Sequence, residues 1–66
     1  RVNALCPGGI DADQSLEFKE RVHSRIPMGR MARKDEYHGT VLFMVSDESS
    51  YMNGAVLTVD GGRTCW

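Results

Sequence analysis

The chain opens with a short apolar segment that runs directly into the sequence Pro7-Gly8-Gly9. Residues 2–6 are apolar except for Asn3, a pattern that predicts a strand covered on both faces, as the strands of parallel sheets are. Proline lacks a backbone donor, and the two glycines permit backbone angles that other residues avoid. The strand therefore ends in a bare main-chain corner, which either lets a flat ligand approach closely or forms an ordinary turn.

A second short apolar strand is predicted over residues 55–59, directly after the turn dipeptide Asn53-Gly54. The two strands lie too far apart in sequence to form a hairpin. A right-handed crossover that places them parallel in one sheet is therefore the expected topology. With two helices between the strands, the order strand, helix, helix, strand predicts an α/β fold.

The first predicted helix covers about residues 14–25, with Asp11 or Asp13 as its N-cap. Its apolar positions recur every four residues and are Phe18, Val22 and Ile26. Such a narrow apolar stripe belongs on a surface, where the segment can open and close. Pro27 ends the helix, because the residue before a proline is pushed out of helical geometry.

The second predicted helix begins near Asp35 and Glu36, whose negative charges favour a helix N-terminus. Its apolar positions follow helical spacing and are Tyr37, Val41, Met44 and Val45. Leu42 and Phe43 widen that surface, so cover is expected on more than one side. A sheet would cover one side, and either a neighbouring subunit or another helix of the same chain would cover the other.

Size and charge limit what the chain can do. At 66 residues it is one domain at most, and a domain of that size buries only about 60% of the surface that its unfolded form exposes. Eight basic residues against nine acidic ones leave no basic face for nucleic acid. No apolar run approaches the roughly 18 residues of a membrane span, and the start lacks the pattern of a signal peptide. We expect a soluble, cytoplasmic protein without nucleic-acid or membrane partners.

The sequence does not indicate metal or thiol chemistry. Cys6 and Cys65 have no motif around them, so we interpret the first as a small core residue and the second as a tail thiol. His23 and His38 lack the close paired spacing that builds a zinc site. No metal is expected, and the free thiols favour a reducing, intracellular setting.

Four segments, taken in order, are similar to the last third of the short-chain dehydrogenase/reductase family. They are residues 2–10, residues 27–31 (Pro-Met-Gly-Arg-Met), residues 46–54 with their Ser-Asp and Ser-Ser-Tyr pieces, and residues 59–62 (Val-Asp-Gly-Gly). The resemblance covers nearly the whole chain. It implies that residues 1–66 are the C-terminal fragment of one Rossmann-type domain with a doubly wound parallel sheet. The start without Met agrees with that expectation.

The resemblance also implies a cofactor, NAD or NADP, which lies across the carboxyl ends of the strands. Pro7 and Gly8 would shape the wall under the nicotinamide ring, and the Ile10 backbone would bond its carboxamide. The family often has a threonine two residues further on, whose hydroxyl assists this contact, but Ala12 stands there. Only the backbone contact is therefore expected. The implied cofactor-binding residues are Pro7, Gly8, Gly9 and Ile10.

Residues 12–26 match the family's substrate lid. Leu16 and Phe18 are its candidate substrate contacts, although ordinary packing explains each of them as readily. Arg30 resembles a structural arginine that ties the linker to nearby carbonyls or carboxylates. Asp60-Gly61-Gly62 resembles the end of the family's last strand, where close packing needs glycine and where subunits meet.

The chain contains no residue to which the resemblance assigns catalysis. Family catalysis uses a Tyr-x-x-x-Lys pair, in which the lysine lowers the pKa of the tyrosine. Here Tyr37 is followed four residues later by Val41, and Tyr51 by Ala55. The glycine-rich phosphate loop is absent from the sequence as well. The fragment alone is therefore expected to be inactive.

The parent protein implied by the resemblance is an NAD(P)-dependent oxidoreductase that moves hydride between nicotinamide and a small-molecule carbonyl or alcohol. It would work as a homo-oligomer, a dimer or a tetramer. A protein of a different class stays open, namely a non-catalytic interaction module or a remnant that keeps only the fold. A phosphate loop and a Tyr-x-x-x-Lys pair upstream would favour the enzyme.

Overall fold

The computed structural model describes residues 1–65. Its elements are β1 (Ala4–Pro7), α1 (Leu16–His23), α2 (His38–Val45) and β2 (Val56–Val59), with short 3₁₀ turns at Asp47–Ser49 and Arg63–Cys65. The two strands pair in parallel, from Ala4 opposite Val56 to Pro7 opposite Val59. The predicted parallel crossover and the α/β order of elements are therefore confirmed.

Two asparagine side chains close the amino-terminal end of the strand pair. Asn3 Oδ1 accepts from the Ala55 backbone N–H at 2.9 Å, and Asn53 Oδ1 accepts from the Val2 N–H at 3.0 Å. Gly54 adopts a φ of 76°, which only glycine tolerates readily, and its N–H donates to the Val2 carbonyl at 2.7 Å. The predicted Asn-Gly turn thus fixes where β2 starts.

The predicted burial of β1 on both faces is wrong for residues 1–65. Ala4 and Cys6 are exposed, whereas Leu5 and its partner Leu57 are half-buried. Successive side chains of a strand point to opposite faces, so one face of the pair is partly covered and the other is open. The interpretation of Cys6 as a core residue is therefore wrong as well, because its thiol lies on the open face.

Helix α1 is shorter than predicted and has a different cap. Ser15 is its N-cap, and the hydroxyl accepts from the Phe18 N–H at 3.1 Å. The prediction of Asp11 or Asp13 as the cap is wrong, because Asp11 pairs with Lys19 instead. The helix ends at His23, and the chain then tightens into turns before it reaches Pro27. No residue of α1 is buried, as expected for a surface helix.

Helix α2 begins at His38, with Tyr37 as its N-cap residue. The predicted start near Asp35 and Glu36 is wrong, because the Glu36 carboxylate binds Arg30 and the Arg33 backbone instead of helix amides. The apolar side chains of α2 have little cover from residues 1–65, since no residue of the helix is buried. The expected cover on two sides stays a prediction.

The best-covered apolar side chains lie around the carboxyl ends of the strands. Ile26, Met31 and Tyr37 are 3%, 4% and 8% exposed. All three line one small cavity together with Val59, the last residue of β2. The core formed by residues 1–65 is thus located beside the Pro-Gly-Gly corner, where Gly9 lines the same cavity. No helix within residues 1–65 combines the length and the apolar character that crossing a bilayer requires.

Candidate functional site

The predicted corner, defined as Pro7, Gly8, Gly9 and Ile10, lies at the carboxyl ends of both strands. The Gly8 N–H donates to the Val59 carbonyl at 3.0 Å and to the Tyr37 hydroxyl at 3.0 Å. The same hydroxyl donates to the Val59 carbonyl at 2.8 Å. The carboxyl ends of parallel strands are where open α/β sheets bind ligands.

Gly8 is a glycine because of close packing, not because of its backbone angles. A Cβ at this position would lie 2.8 Å from Asp60 Cα and 2.9 Å from Asp60 Cβ. Gly8 and Gly9 are absent from the positive-φ residues, so the expectation of special backbone angles at the corner is wrong. The chain after β1 passes directly against the chain after β2, and a side chain at Gly8 would separate them.

Main-chain pairing continues beyond the corner. The Ala32 N–H donates to the Gly9 carbonyl at 2.9 Å, and the Asp11 N–H donates to the Ala32 carbonyl at 2.8 Å. Ile10 lies between these two bonds, so its own N–H and carbonyl point the other way. Among residues 1–65 the Ile10 N–H has no hydrogen-bond partner, and the residue is exposed. The corner therefore presents a free main-chain donor on its outer side.

Gln14 closes the loop that follows the corner. Its Nε2 donates to the Ile10 carbonyl at 3.1 Å, and its Oε1 accepts from the Ala12 N–H at 2.8 Å. Sequence reasoning missed this residue and considered only the missing hydroxyl at Ala12. The sequence signal for this role is a glutamine shortly after a loop whose main-chain groups need partners. A glutamine side chain can both donate and accept hydrogen bonds.

An ion pair braces the linker behind the corner. Arg30 binds both oxygens of Glu36, with the Nη2–Oε2 distance at 3.1 Å, and also donates to the Met31 carbonyl at 3.1 Å. The Arg30 guanidinium and the Arg33 backbone N–H lower the pKa of Glu36 to about 2, and the carboxylate in turn raises the pKa of Arg30. Arg30 ties the linker to a carbonyl and a carboxylate, as predicted.

The segment Asp60-Gly61-Gly62 packs against the same linker. Gly61 and Gly62 have φ values of 68° and 93°, and a Cβ on Gly61 would lie 2.8 Å from Ile26 Cγ2. Hydrogen bonds lower the pKa of Asp60, and the largest effect comes from the Thr64 side chain. The carboxylate accepts from the backbone of both Gly62 and Thr64. The predicted need for glycine in close packing is confirmed here.

The cavity beneath the corner is too small for a nucleotide. It measures about 100 Å³ and is lined by Gly9, Met31, Tyr37 and Asp60 among others, whereas small-molecule pockets span roughly 300–1,000 Å³. This cavity is therefore not itself a nucleotide site, whereas Pro7, Gly9 and Ile10 are exposed on the outer side of the corner.

The predicted lid residues lie on the surface. Leu16 is 79% and Phe18 is 42% exposed, and the structure does not bring either into the corner. An ion pair of 2.8 Å joins Lys19 of α1 to Asp11, directly after Ile10, and the hydrogen bond from Lys19 lowers the pKa of Asp11. This ion pair thus joins α1 to the residue that directly follows the corner.

The structure gives no support to a metal site or a disulfide in the part of the chain that it describes. No group of three or more His, Cys, Asp or Glu side chains among residues 1–65 is arranged to hold a metal ion. Cys6 and Cys65 are exposed free thiols.

Parallel strands joined through helices, with an open main-chain corner at their carboxyl ends, are typical of Rossmann-type sheets. Comparison with known proteins gives the same class. Residues 1–64 match the family model described as enoyl-(acyl carrier protein) reductase. The chain belongs to the short-chain dehydrogenase/reductase family.

Individual relatives are similar over almost the whole chain. A 2-dehydro-3-deoxy-D-gluconate 5-dehydrogenase of Pseudoalteromonas atlantica is 43% identical over 92% of this chain and 26% of its own length. A short-chain dehydrogenase of Leptospira borgpetersenii, solved with NAD⁺, is 42% identical with a TM-score of 0.91, over 97% of this chain and 25% of that one. A gluconate 5-dehydrogenase of Burkholderia cenocepacia, solved with NADP and tartrate, is 32% identical with a TM-score of 0.89, over 100% and 28%. The chain spans about a quarter of the length of the curated relatives that it matches.

Proposed function

We propose that the chain is the C-terminal part of an NAD(P)-dependent oxidoreductase that moves hydride between nicotinamide and a small alcohol or carbonyl compound. In this proposal Pro7, Gly8, Gly9 and Ile10 form the wall beside the nicotinamide. The observation that carries it is the free Ile10 N–H on an exposed corner at the carboxyl ends of the strands. Such a donor fits the planar carboxamide of nicotinamide.

The chain's own residues bind and orient, whereas the bound nicotinamide supplies the hydride chemistry. The Ile10 N–H donates to the carboxamide oxygen. Gln14 holds the Ile10 carbonyl, which belongs to the next peptide along the chain, and so restricts the backbone on the C-terminal side of this donor. Helix α1 closes over the cofactor as the substrate lid, where Leu16 and Phe18 contact the substrate and exclude water.

Relatives support both nucleotides. The Leptospira borgpetersenii enzyme was solved with NAD⁺ and the Burkholderia cenocepacia enzyme with NADP. The names of the Pseudoalteromonas atlantica and Burkholderia cenocepacia relatives point to sugar-acid alcohols as substrates. We therefore propose a polar alcohol or its carbonyl counterpart as the substrate of the parent protein, and NAD or NADP as its cofactor.

The proton-transfer group lies outside this chain in our proposal. The Tyr37 hydroxyl is engaged with two main-chain groups, and Tyr51 lacks a lysine four residues later. The isolated chain is accordingly inactive. We further propose that the full-length protein is a cytoplasmic homo-oligomer, with α2 and the Asp60-Gly61-Gly62 segment in its contacts, because α2 carries exposed apolar side chains such as Leu42.

Two substitutions at one position test the nicotinamide wall. In the full-length protein, Ile10→Pro removes the free N–H without breaking a hydrogen bond among residues 1–65, whereas Ile10→Ala keeps it. Fluorescence titration with NADH and NADPH should give an affinity about tenfold or more weaker for Ile10→Pro, because the carboxamide loses its donor. Ile10→Ala should stay within about threefold of the wild type.

Unchanged affinity of the folded Ile10→Pro protein would overturn the proposed wall. The isolated 66-residue chain should show no measurable affinity in the same titration. Tight binding by that chain alone would contradict the proposal that the main nucleotide site lies elsewhere in the full-length protein.

A further inference from the structure

The hydroxyl of Tyr37 sits at the junction between the two strand ends. It accepts from the Gly8 N–H at 3.0 Å and donates to the Val59 carbonyl at 2.8 Å. The Gly8 N–H and the Val59 carbonyl also bond each other at 3.0 Å. One side-chain oxygen and two main-chain groups thus form a closed triangle where β1 and β2 finish.

This triangle is more than the filling of a core. Tyr37 is only 8% exposed, and burying a hydroxyl is unfavourable unless it is hydrogen-bonded. A phenylalanine or leucine would fill the same space without that requirement. The hydroxyl instead adds a second link between strands at the point where regular pairing stops, since Pro7 and Val59 form the last pair of the register.

The triangle acts on the corner from the inner side. Gly8 lies two residues before Ile10, and the Gly8 and Ile10 main chain carries just one other side-chain bond within residues 1–65, from Gln14. The Gly9 carbonyl, in the peptide that carries the Ile10 N–H, accepts from the Ala32 N–H at 2.9 Å. This peptide is therefore held directly by Ala32 and, through the chain, by Gly8. A shift of Gly8 away from Val59 would pull on this peptide from one side and so change the direction of the Ile10 N–H.

We propose that Tyr37 is a positioning residue for the nicotinamide, and that its hydroxyl sets the direction of the Ile10 N–H by fixing Gly8 against Val59. This inference rests on the function proposed above. Tyr37 does not touch the cofactor and is not the proton donor of the reaction, because its hydrogen is donated to the Val59 carbonyl. Its effect is confined to the nicotinamide half of the dinucleotide.

Ligands that differ only in the nicotinamide separate positioning from general stability. In the full-length protein we compare NADH with ADP-ribose, which lacks the ring. Tyr37→Phe should weaken NADH binding by about three- to tenfold, because it removes the hydroxyl that bonds Gly8 and Val59. Its affinity for ADP-ribose should stay unchanged, and the KM for the nucleotide should rise more than kcat falls.

Two controls come from the chain itself. Tyr51 is fully exposed, so Tyr51→Phe removes a phenol hydroxyl without any effect on either ligand. Ser49 is 2% exposed and bonds the Met44 and Ser46 carbonyls near the other end of the strand pair. Ser49→Ala should lower the melting temperature while leaving the ratio of NADH to ADP-ribose affinity unchanged.

Equal losses for NADH and ADP-ribose, or no loss for either, would overturn the inference about Tyr37. If Ile10→Pro still weakens NADH binding in that case, the proposed function stands and only the inference about Tyr37 fails. If neither Ile10→Pro nor Tyr37→Phe changes NADH affinity, the proposed function fails too. Should Tyr37→Phe not fold, Tyr37→Leu in the same assay gives the same decision, because it also removes the hydroxyl and keeps an apolar side chain.

Discussion

The region around the corner and helix α2 are both rich in apolar residues, but their side chains differ in how much of their surface is covered. Around the corner Ile26, Met31 and Tyr37 are almost fully covered, and turns, ion pairs and glycine contacts fix the main chain. In α2 no residue is buried, and Leu42 is 66% exposed. The contacts within residues 1–65 therefore stabilise the carboxyl ends of the strands, while they give the apolar surface of α2 little cover.

The largest expected effect tests this difference directly. In the full-length protein Met31→Ala should lower the free energy of unfolding by about 2–5 kcal/mol, because it empties a covered position. Urea unfolding measures the change. Leu42→Ala is the matched substitution in α2, and its cost measures the cover that the full-length protein gives this helix. A cost for Met31→Ala below about 1 kcal/mol would break the comparison.

Glycine substitutions should have opposite signs in the two regions. Gly8→Ala places a methyl group 2.8 Å from Asp60 Cα and should destabilise the full-length protein by about 1–3 kcal/mol. Gly39 lies within α2, and a Cβ there would meet no other atom of residues 1–65 within 4 Å outside the adjoining helix backbone. Gly39→Ala should therefore stabilise by up to about 1 kcal/mol, because alanine is the better helix former. Thermal unfolding of both variants checks the signs, and a stabilising Gly8→Ala would contradict the packing argument.

The smallest expected effect concerns the stability of the full-length protein at low pH. The pKa of Glu36 is lowered from an ordinary value of 4.5 to about 2 by Arg30 and Arg33. The stabilising contribution of Glu36 is thus complete above about pH 5 and is lost as the pH falls through 4.5 toward 2. Glu36→Gln should flatten the acid dependence of stability in that window. Circular dichroism against pH measures it, with the exposed Glu48→Gln as the control, and identical acid profiles for Glu36→Gln and wild type would refute this.

Much of the fold could be predicted from local pattern. Short apolar runs and turn residues were sufficient for both strands and the Asn53-Gly54 turn, because each depends on neighbours in the chain. The separation of the strands in sequence was sufficient for their parallel pairing. The helix starts were predicted less well. Several residues near each start can cap or carry charge, and only the tertiary partners decide which does. Asp11 pairs with Lys19 instead of capping α1, and Glu36 pairs with Arg30 instead of binding the first amides of α2.

The sequence places the candidate site at Pro7 to Ile10, which stays a prediction, but it does not indicate the side chains that support this corner. Tyr37 was interpreted as one more apolar position of α2, because a helical period does not reveal where a hydroxyl points. Gln14 was overlooked for a similar reason, since its bonds go to main-chain groups of the loop. Gly8 was assigned to backbone freedom, whereas close approach to Asp60 explains it. Burial of β1 on both faces was predicted from its apolar composition, which does not show what packs against each face.

The ion pair between Lys19 and Asp11 joins two parts of the chain that differ in burial. Helix α1 has no buried residue, whereas the corner rests on the best-packed part of the chain. Under the proposed function, α1 can therefore change in sequence without disturbing how the ring is held. Substrate preference would diverge quickly among descendants of such a protein, while the stereochemical side from which hydrogen is delivered would be inherited unaltered.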